Sequence, residues 1–317
     1  MILYLNLWQK EFKSKLQSRI PDSAFFYGMI NFTITGVPEH FNYPWHKLIA
    51  KQHFLNEGLE LIWRDESRGS GKMIEQLDQN ETDIAIILTE SFFKRYEADD
   101  DLKIIGLYVQ SPLTWGIHIA PSSDLNSLKD VKKPQFLISR KGSGSDLMSK
   151  VLMDRENWKI ENATYEIVNN LPGALQAMDT HKNGLFLWEK FTTKPFVDSG
   201  EMNRIGEVPS PWPCFVIAAK QTTIDSNPSF FSRLLDKIYV ETKEVENSES
   251  STAEIADFYS LNLEDVKLWK SQTKWQTDHT IVSEELDRAI ENMVKFKILK
   301  SDIDWRKAFE TELNNIQ

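Results

Sequence analysis

A loop of glycine and serine that occurs twice in the same setting most limits the folds open to this chain. Gly142-Ser143-Gly144 follows an apolar run at 135–139 and precedes a segment with apolar residues at helical spacing. Gly69-Ser70-Gly71 lies in the same way between the apolar run 59–63 and a second helix-like segment. Short apolar runs of this kind are typical of strands, so both places predict strand, loop and helix. The repeat therefore predicts an α/β protein with two similar halves.

Each of these loops is a candidate anion-binding site. Glycine lets the backbone approach a ligand, serine offers a hydroxyl, and the first turn of a helix has unpaired N–H groups with a partial positive charge. A basic residue, Arg68 or Arg140, precedes each loop. The alternative is a glycine-rich turn whose serine only caps the helix. Two such loops at corresponding places in two halves favour a binding role, with one loop on each side of a cleft.

The order of the segments supports this organisation. Short apolar runs alternate with amphipathic segments as far as residue 219, and 125–131 is one of the predicted helices. The runs 113–119 and 214–219 are the predicted connections between the two halves. In an open α/β sheet, ligands bind beyond the carboxyl ends of the strands, which is where both glycine loops fall. The predicted strands are 30–35, 59–63, 84–88, 103–109, 113–119, 135–139, 165–168, 185–188 and 214–219.

Beyond Lys220 the sequence contains only helical patterns. Ser251 and Glu254 form a capping-box pattern, and Asn262 is a predicted N-cap of the following helix. We expect these helices to pack on one of the α/β halves and to stabilise it.

Composition excludes several classes of protein. Of the 317 residues, 41% are hydrophobic, which is enough for a substantial core. The net charge is −10, from 37 basic and 47 acidic residues. A general nucleic-acid or membrane-surface binder needs a sustained basic face, so neither partner is expected. The single cysteine, Cys214, excludes an internal disulfide framework and a cysteine-rich zinc site.

The N-terminal segment, residues 1–28, does not have the pattern of a secretory signal. It has early apolar residues, with no basic region before them and no long apolar run after them. No run in the chain has the roughly 18 apolar residues of a membrane span. We expect the chain as given to be cytoplasmic and residues 1–28 to be a dispensable N-terminal arm.

Several short motifs occur in a fixed order between about residues 29 and 220. In that order they resemble the type II periplasmic-binding proteins, in particular the nitrate, sulfonate, taurine and thiamine-precursor branch of ABC-transporter solute-binding proteins. The motifs are Gly36-Val37-Pro38-Glu39-His40-Phe41, Trp45-His46, Gly58-Leu59-Glu60, Gly69-Ser70-Gly71, Asp83-Ile84-Ala85, Gly142-Ser143-Gly144-Ser145 and Leu187-Trp188-Glu189-Lys190-Phe191.

The resemblance implies two α/β lobes, joined by two crossing hinge strands, that close on a small anionic or zwitterionic ligand such as a sulfonate, a carboxylate or a thiamine precursor. It implies that 29–115 and 217–317, with the C-terminal helices, form the first lobe and that 116–216 form the second. An ABC-transporter membrane component is an expected partner if the chain is exported. Ten ligand contacts are implied, and two residues are added from their place at the mouth of the second lobe. The ten are Pro38, Glu39, His40, Ser70, Gly71, Thr89, Glu90, Ser143, Gly144 and Ser145, and the two are Glu189 and Trp212.

An enzyme on the same scaffold is the alternative. Glu90 and Glu189 each lie at a predicted strand-to-helix junction and could form an acid/base pair for a lyase or a cofactor-biosynthesis reaction. The sequence has no Gly-x-Ser-x-Gly elbow, no Walker A motif and no Gly-x-Gly-x-x-Gly fingerprint. Its histidines lack the i, i+4 spacing of zinc hydrolases, so no metal or cofactor is predicted. A ligand-binding protein is therefore the leading prediction.

The predicted dispensability of residues 1–28 can be tested directly. A chain that begins at Met29 should show the same cooperative thermal unfolding, followed by circular dichroism, as the full-length chain. Loss of folding in the shortened chain would contradict the prediction.

Overall fold

Two five-stranded mixed sheets form the framework of the protein. The computed structural model describes residues 29–317, and the predicted N-terminal arm, 1–28, lies outside them. The strands of the two sheets are β1 (Ile30–Gly36), β2 (Leu59–Asp65), β3 (Ile84–Leu88), β4 (Leu102–Val109), β5 (Thr114–Ile119), β6 (Gln135–Ile138), β7 (Thr164–Ile167), β8 (Leu185–Glu189), β9 (Asn203–Pro209) and β10 (Phe215–Lys220).

The two sheets have the same architecture. Strand order is β2-β1-β3-β10-β4 in the first sheet and β7-β6-β8-β5-β9 in the second. In each sheet the first three strands are parallel, and the fourth is antiparallel to both of its neighbours. The fourth strand of each sheet, β10 or β5, follows a crossing from the other sheet. The predicted α/β fold with two similar halves is confirmed, and each half is called a lobe below.

Helices connect the strands in each lobe and then continue alone to the C-terminal end. A two-stranded sheet of β11 (Thr280–Ile281) and β12 (Asn315–Ile316) lies among the last of them. The helices are α1 (Tyr43–Lys51), α2 (Ser70–Asp78), α3 (Thr89–Tyr96), α4 (Gly144–Arg155), α5 (Leu171–Met178), α6 (Lys194–Asp198), α7 (Gln221–Ser226), α8 (Pro228–Asn247), α9 (Ser250–Tyr259), α10 (Leu263–Gln272) and α11 (Ser283–Lys295). None of the helices in residues 29–317 is long and apolar enough to span a bilayer.

The chain passes between the sheets twice, through residues 110–113 and 210–214. The two crossings are hydrogen-bonded to each other, because Leu113 N donates to Ser210 Oγ (3.0 Å) and Ser210 N donates to Leu113 O (2.9 Å). The predicted connecting strands 113–119 and 214–219 are found as β5 and β10, which each crossing enters. The two lobes are thus joined at one narrow place.

The C-terminal helices are anchored on the first sheet. The hydroxyl of Tyr239 in α8 donates to Leu107 O in β4 (3.0 Å). Gly106 makes room for this contact, because a Cβ there would lie 2.3 Å from the Tyr239 hydroxyl. Two ion pairs then reach the second lobe from these helices: Lys295 with Asp154 (2.9 Å) and Asp265 with Lys194 (3.4 Å). The helices therefore stabilise the first lobe and also contact the second.

Three local predictions have different outcomes. Asn262 caps α10 as predicted, because its Oδ1 accepts from the backbone N–H groups of Glu264 and Asp265. The predicted capping box at Ser251 is wrong: α9 begins at Ser250, and Ser251 Oγ donates to Val245 O (2.7 Å). The predicted helix 125–131 is also wrong, since only a 3₁₀ turn, Leu128–Asp130, forms there.

Candidate functional site

A cavity lies between the two lobes, at the carboxyl ends of strands from both sheets. Leu88 ends β3, Glu189 ends β8, and Val37 and Ser139 directly follow β1 and β6. The lining residues of the cavity are Val37, Glu39, Arg68, Gly69, Ser70, Leu88, Leu113, Trp115, Ser139, Arg140, Ser143, Gly144, Ser145, Trp188, Glu189 and Phe215.

The two glycine–serine loops both line this cavity, but their serine hydroxyls accept hydrogen bonds from different groups. Ser143 is the N-cap of α4, and its Oγ accepts from Asp146 N. Gly69, with φ of +79°, is the N-cap of α2 instead of a serine, and Ser70 Oγ accepts from Leu88 N (2.9 Å). Ser145 Oγ accepts from Ser139 N (3.0 Å). The hydroxyls therefore hold each loop against a neighbouring strand end.

Backbone N–H groups are the free donors at these loops. The amides of Ser70 and Gly71 begin α2, and those of Gly144 and Ser145 begin α4. None of the four donates to an acceptor within residues 29–317. Helix-start amides of this kind carry a partial positive charge and bind anions. Two such helix ends, one from each lobe, lie at the same cavity.

Arg140 adds a full positive charge to that part of the cavity. Its Nη1 donates to Arg68 O (3.1 Å), across the gap between the lobes. Within residues 29–317 no carboxylate oxygen lies within 4.0 Å of its guanidinium. Burial lowers the pKa of Arg140. Arg68 differs, because its Nε and Nη2 donate to the two carboxylate oxygens of Glu66 (2.8 and 2.7 Å). Arg140 is therefore the cation of this site that has room for an anionic partner.

Two glycines allow the lobes to approach closely. A Cβ on Gly71 would lie 1.6 Å from Arg140 Nη2 of the other lobe. A Cβ on Gly144 would lie 2.8 Å from Leu88 Cδ1 of the first lobe and 2.7 Å from Trp115 Cη2 of its own. The second glycine of each Gly-Ser-Gly motif thus lies where the lobes meet.

Glu39 and Glu189 place two carboxyl groups at the same cavity, one from each lobe. Burial raises the pKa of Glu39, and the nearby charge of Glu189 raises it further. Burial also raises the pKa of Glu189, although Glu189 Oε2 accepts from the amides of Phe191 (2.9 Å) and Thr192 (2.6 Å). Burial and mutual repulsion therefore make it unfavourable for Glu39 and Glu189 to be ionised at the same time. A positively charged ligand group or a proton would relieve that repulsion.

Aromatic and apolar side chains complete the walls. Trp115 is buried, and its Nε1 has no hydrogen-bond partner among the described residues. Trp188 is half-buried and stacks on Phe186, with ring centroids 5.4 Å apart. These side chains and Phe215 give the cavity apolar surface beside its charged groups.

The structure brings together only part of the predicted site. Six of the predicted residues line the cavity: Glu39, Ser70, Ser143, Gly144, Ser145 and Glu189. Gly71 adjoins it through its contact with Arg140. Pro38 is exposed and does not line it, and His40 lines a second cavity. Whether the six residues contact a ligand stays a prediction.

Thr89, Glu90 and Trp212 are buried, and they do not line the cavity. Glu90 Oε2 accepts from Trp212 Nε1 (2.7 Å), and Thr89 N donates to Cys214 O (3.0 Å). All three residues therefore join the start of α3 to the second crossing. The three residues lie outside this cavity, so Glu90 and Glu189 do not line one cavity together, and their contact with a ligand stays a prediction.

Sequence reasoning did not select Arg68, Arg140, Trp115 or Trp188 as ligand contacts. A signal was present for the two arginines, since each precedes one of the glycine loops. For the tryptophans, a core position and a position at the cavity cannot be distinguished from the sequence pattern alone.

Comparisons with known proteins agree with this geometry. A family model described as Ca3427-like PBP matches residues 115–208. No curated protein sequence matches the chain significantly. Among solved structures, the CA3427 gene product of Candida albicans, described as having the generic periplasmic-binding-protein fold, superposes with a TM-score of 0.79 at 22% sequence identity. That superposition covers 90% of this chain and 97% of the other.

Two bacterial solute-binding proteins also superpose along most of their length. The alkanesulfonate-binding protein SsuA of Xanthomonas axonopodis pv. citri, solved with MOPS, has a TM-score of 0.69 at 11% identity, with 92% of this chain and 100% of that one covered. The periplasmic nitrate-binding protein NrtA of Synechocystis PCC 6803 has a TM-score of 0.66 at 13% identity, with 90% and 87% covered. The chain thus has the two-lobed type II periplasmic-binding-protein fold, and it resembles the branch that the motifs indicated.

The close approach at Gly144 predicts that a methyl group there will oppose closure of the lobes. In Gly144→Ala the new Cβ overlaps Leu88 and Trp115, so we expect the contacting arrangement to be disfavoured by about 1–3 kcal/mol. Small-angle X-ray scattering should show a larger radius of gyration than in the wild type. Lys141→Ala, an exposed change in the same loop, is the matched control, and a Gly144→Ala protein that scatters like the wild type would contradict the prediction.

The raised pKa of the buried Glu90 predicts a pH dependence of stability. Burial raises its pKa from 4.5 to about 7, although Trp212 Nε1 donates to it. Between these values the folded state holds a proton that the unfolded chain has lost, so the contribution of Glu90 to stability falls as pH rises through this window and is then constant. Glu90→Gln lacks this loss, and at pH 8 we expect its free energy of unfolding to exceed that of the wild type by on the order of 3 kcal/mol.

Urea unfolding at pH 5 and pH 8 measures this difference. The exposed Glu291→Gln is the control, and its stability should follow the wild type at both values. An unchanged difference between the two pH values in Glu90→Gln would show that Glu90 is not the group that titrates.

Proposed function

We propose that the protein binds a small molecule with an anionic group between its two lobes, as a solute-binding protein does. The observation that carries this proposal is the placement of two helix N-termini, from opposite lobes, at one cavity together with Arg140. Unpaired helix-start amides and an arginine without a carboxylate partner are a natural site for a sulfonate, carboxylate or phosphate. Closure of the lobes would then remove the ligand from water.

The carboxyl pair favours a ligand that also carries a positive group. Glu39 and Glu189 come from opposite lobes, so a cationic group between them would offset their repulsion when the lobes meet. A zwitterion would place its anion at Arg140 and the loops, and its cation at this pair. Aminosulfonates, amino acids and amino-substituted thiamine precursors all have this combination of charges.

The relatives support a ligand of the same kind. SsuA is described as binding alkanesulfonates, and NrtA as binding nitrate. Both ligands are anions with several oxygen acceptors. By this analogy, a membrane component of an ABC transporter would be the partner of the protein if it is exported.

A panel of matched ligands tests the proposal by isothermal titration calorimetry. Taurine, ethanesulfonate and ethylamine carry respectively both charges, the anion alone and the cation alone, and β-alanine replaces the sulfonate of taurine with a carboxylate. We expect taurine and β-alanine to bind more tightly than either single-charge compound. A panel without any binding would contradict the proposal as far as these ligand classes are concerned.

Variants then identify the groups that hold each charge. Arg140→Gln should weaken binding of every anionic ligand by about 10- to 100-fold, since it removes a charge-assisted hydrogen bond. Glu189→Gln should weaken taurine and strengthen ethanesulfonate, because the neutral side chain no longer repels a simple anion. Ser143→Trp should block the cavity. The exposed Arg288→Gln is the control, and unchanged affinity in both Arg140→Gln and Ser143→Trp would exclude this cavity as the site.

A further inference from the structure

Two carboxyl groups, Glu39 and Glu189, line the cavity between the lobes, and one of them has an unpaired oxygen. Glu39 lies in the loop after β1, and Glu189 is the last residue of β8. Glu189 is 4% exposed. Its Oε2 accepts from two backbone amides, whereas its Oε1 accepts no hydrogen bond from residues 29–317. This Oε1 keeps accessible surface, unlike the unpaired and fully enclosed Oε1 of Glu90. An oxygen that borders the cavity and has no donor in the protein is available to a bound group.

The positive side chains around this pair have other partners. Among residues 29–317, no lysine, arginine or histidine nitrogen lies within 4.0 Å of either carboxyl group. Two arginines line the cavity, and a lysine follows Glu189 in the sequence. Their contacts are Lys190 with Glu207 (3.0 Å), Arg68 with Glu66 (2.7 Å) and Arg140 with Arg68 O (3.1 Å). The pair therefore has no counter-ion of its own in the described part of the chain.

Three further titratable groups lie near the pair, and all of them are neutral at physiological pH. Burial lowers the pKa of His40, the neighbour of Glu39, to about 3. Burial raises the pKa values of Cys214 and Tyr259 well above their usual ranges, and nearby negative charge, that of Glu39 included, raises them further. A ligand cation or a proton is therefore what remains to balance the charge of the two carboxyl groups.

The proton is favoured when no ligand cation is present. Burial, and then the charge of Glu189, raise the pKa of Glu39 from 4.5 to about 8. Burial raises the pKa of Glu189 as well. Two carboxyl groups that interact in this way hold a proton that belongs to the pair and not to either residue alone. While the lobes are in contact, the pair therefore carries one proton and a single negative charge below about pH 8.

We propose that a proton takes the place of a ligand cation in this site: a simple anion is bound together with one proton shared by Glu39 and Glu189, and a zwitterion is bound without it. The inference rests on the proposed function. A rise in pH makes the proton harder to hold, whereas an ammonium group of the ligand keeps its charge. The carboxyl pair thus makes the selectivity of the site depend on pH, in favour of zwitterions as pH rises.

Calorimetry with taurine and ethanesulfonate tests the proposal. Titrations in two buffers of different ionisation enthalpy give the number of protons that each ligand takes up or releases. Taurine binding should involve about one proton fewer than ethanesulfonate binding, and the ratio of their association constants should rise by about tenfold per pH unit between pH 5.5 and pH 7.5. Equal proton numbers for the two ligands would overturn the proposal.

Glu39→Gln removes the shared proton and keeps the shape of the side chain. The Glu39 carboxyl does not cap the 3₁₀ turn that follows it, so the change spares the local structure. With this variant we expect both ligands to exchange equal numbers of protons, at a ratio of association constants that does not change with pH. The exposed Glu166→Gln, in the second lobe, is the control and should behave as the wild type. A proton difference that persists in Glu39→Gln would overturn the assignment to this pair.

Potentiometric titration of the ligand-free protein separates this inference from the proposed function. Between pH 6 and pH 9 the wild type should release about one proton more than Glu39→Gln. Equal release by the two proteins would overturn the inference even if ligands bind. Extra release by the wild type, without binding of any ligand, would count against the proposed function alone.

Discussion

Contact between the two lobes brings charged groups of both signs to one cavity, and the candidate site depends on this contact. Two helix N-termini and Arg140 carry positive or partial positive charge. Glu39 and Glu189 are carboxyl groups that line the same cavity. Each group of like charges is unfavourable by itself when water is excluded, because the repulsion is screened less. Under the proposed function, an anionic ligand group would offset the first group and a cationic one the second, so contact between the lobes would favour a zwitterion.

The topology of the two sheets produces this arrangement. Both sheets have the same strand order, and each contains one antiparallel strand that enters from the other lobe. The crossings lie side by side through the bonds between Leu113 and Ser210. The carboxyl ends of the parallel strands in both lobes therefore face the same gap. Loops that follow β3 and β8, or β1 and β6, meet there although they are far apart in the sequence.

Sequence patterns predicted this framework, and the predicted ligand contacts stay predictions. The glycine loops could be found because strand, loop and helix follow one another locally. Glu90 could not be placed in the same way. Glu189 is the last residue of β8 and lines the cavity, and the last residue of β3 is Leu88, which lines it as well. Glu90 is two positions further on, in the first turn of α3, where it bonds to Trp212. Leu88 and Glu90 are thus only two positions apart, but one lines the cavity and the other does not. The hydrophobic pattern of the sequence does not distinguish these two positions.

Glu39 and His40 are neighbours in the predicted site, but they line different cavities. Glu39 has extended backbone angles, φ −124° and ψ 153°, whereas His40 begins a 3₁₀ turn, His40–Asn42. The backbone conformation changes between the two residues, so their side chains need not point the same way. A motif read as one ligand-contacting unit is in fact a wall between two cavities. The same short stretch of backbone therefore borders both cavities.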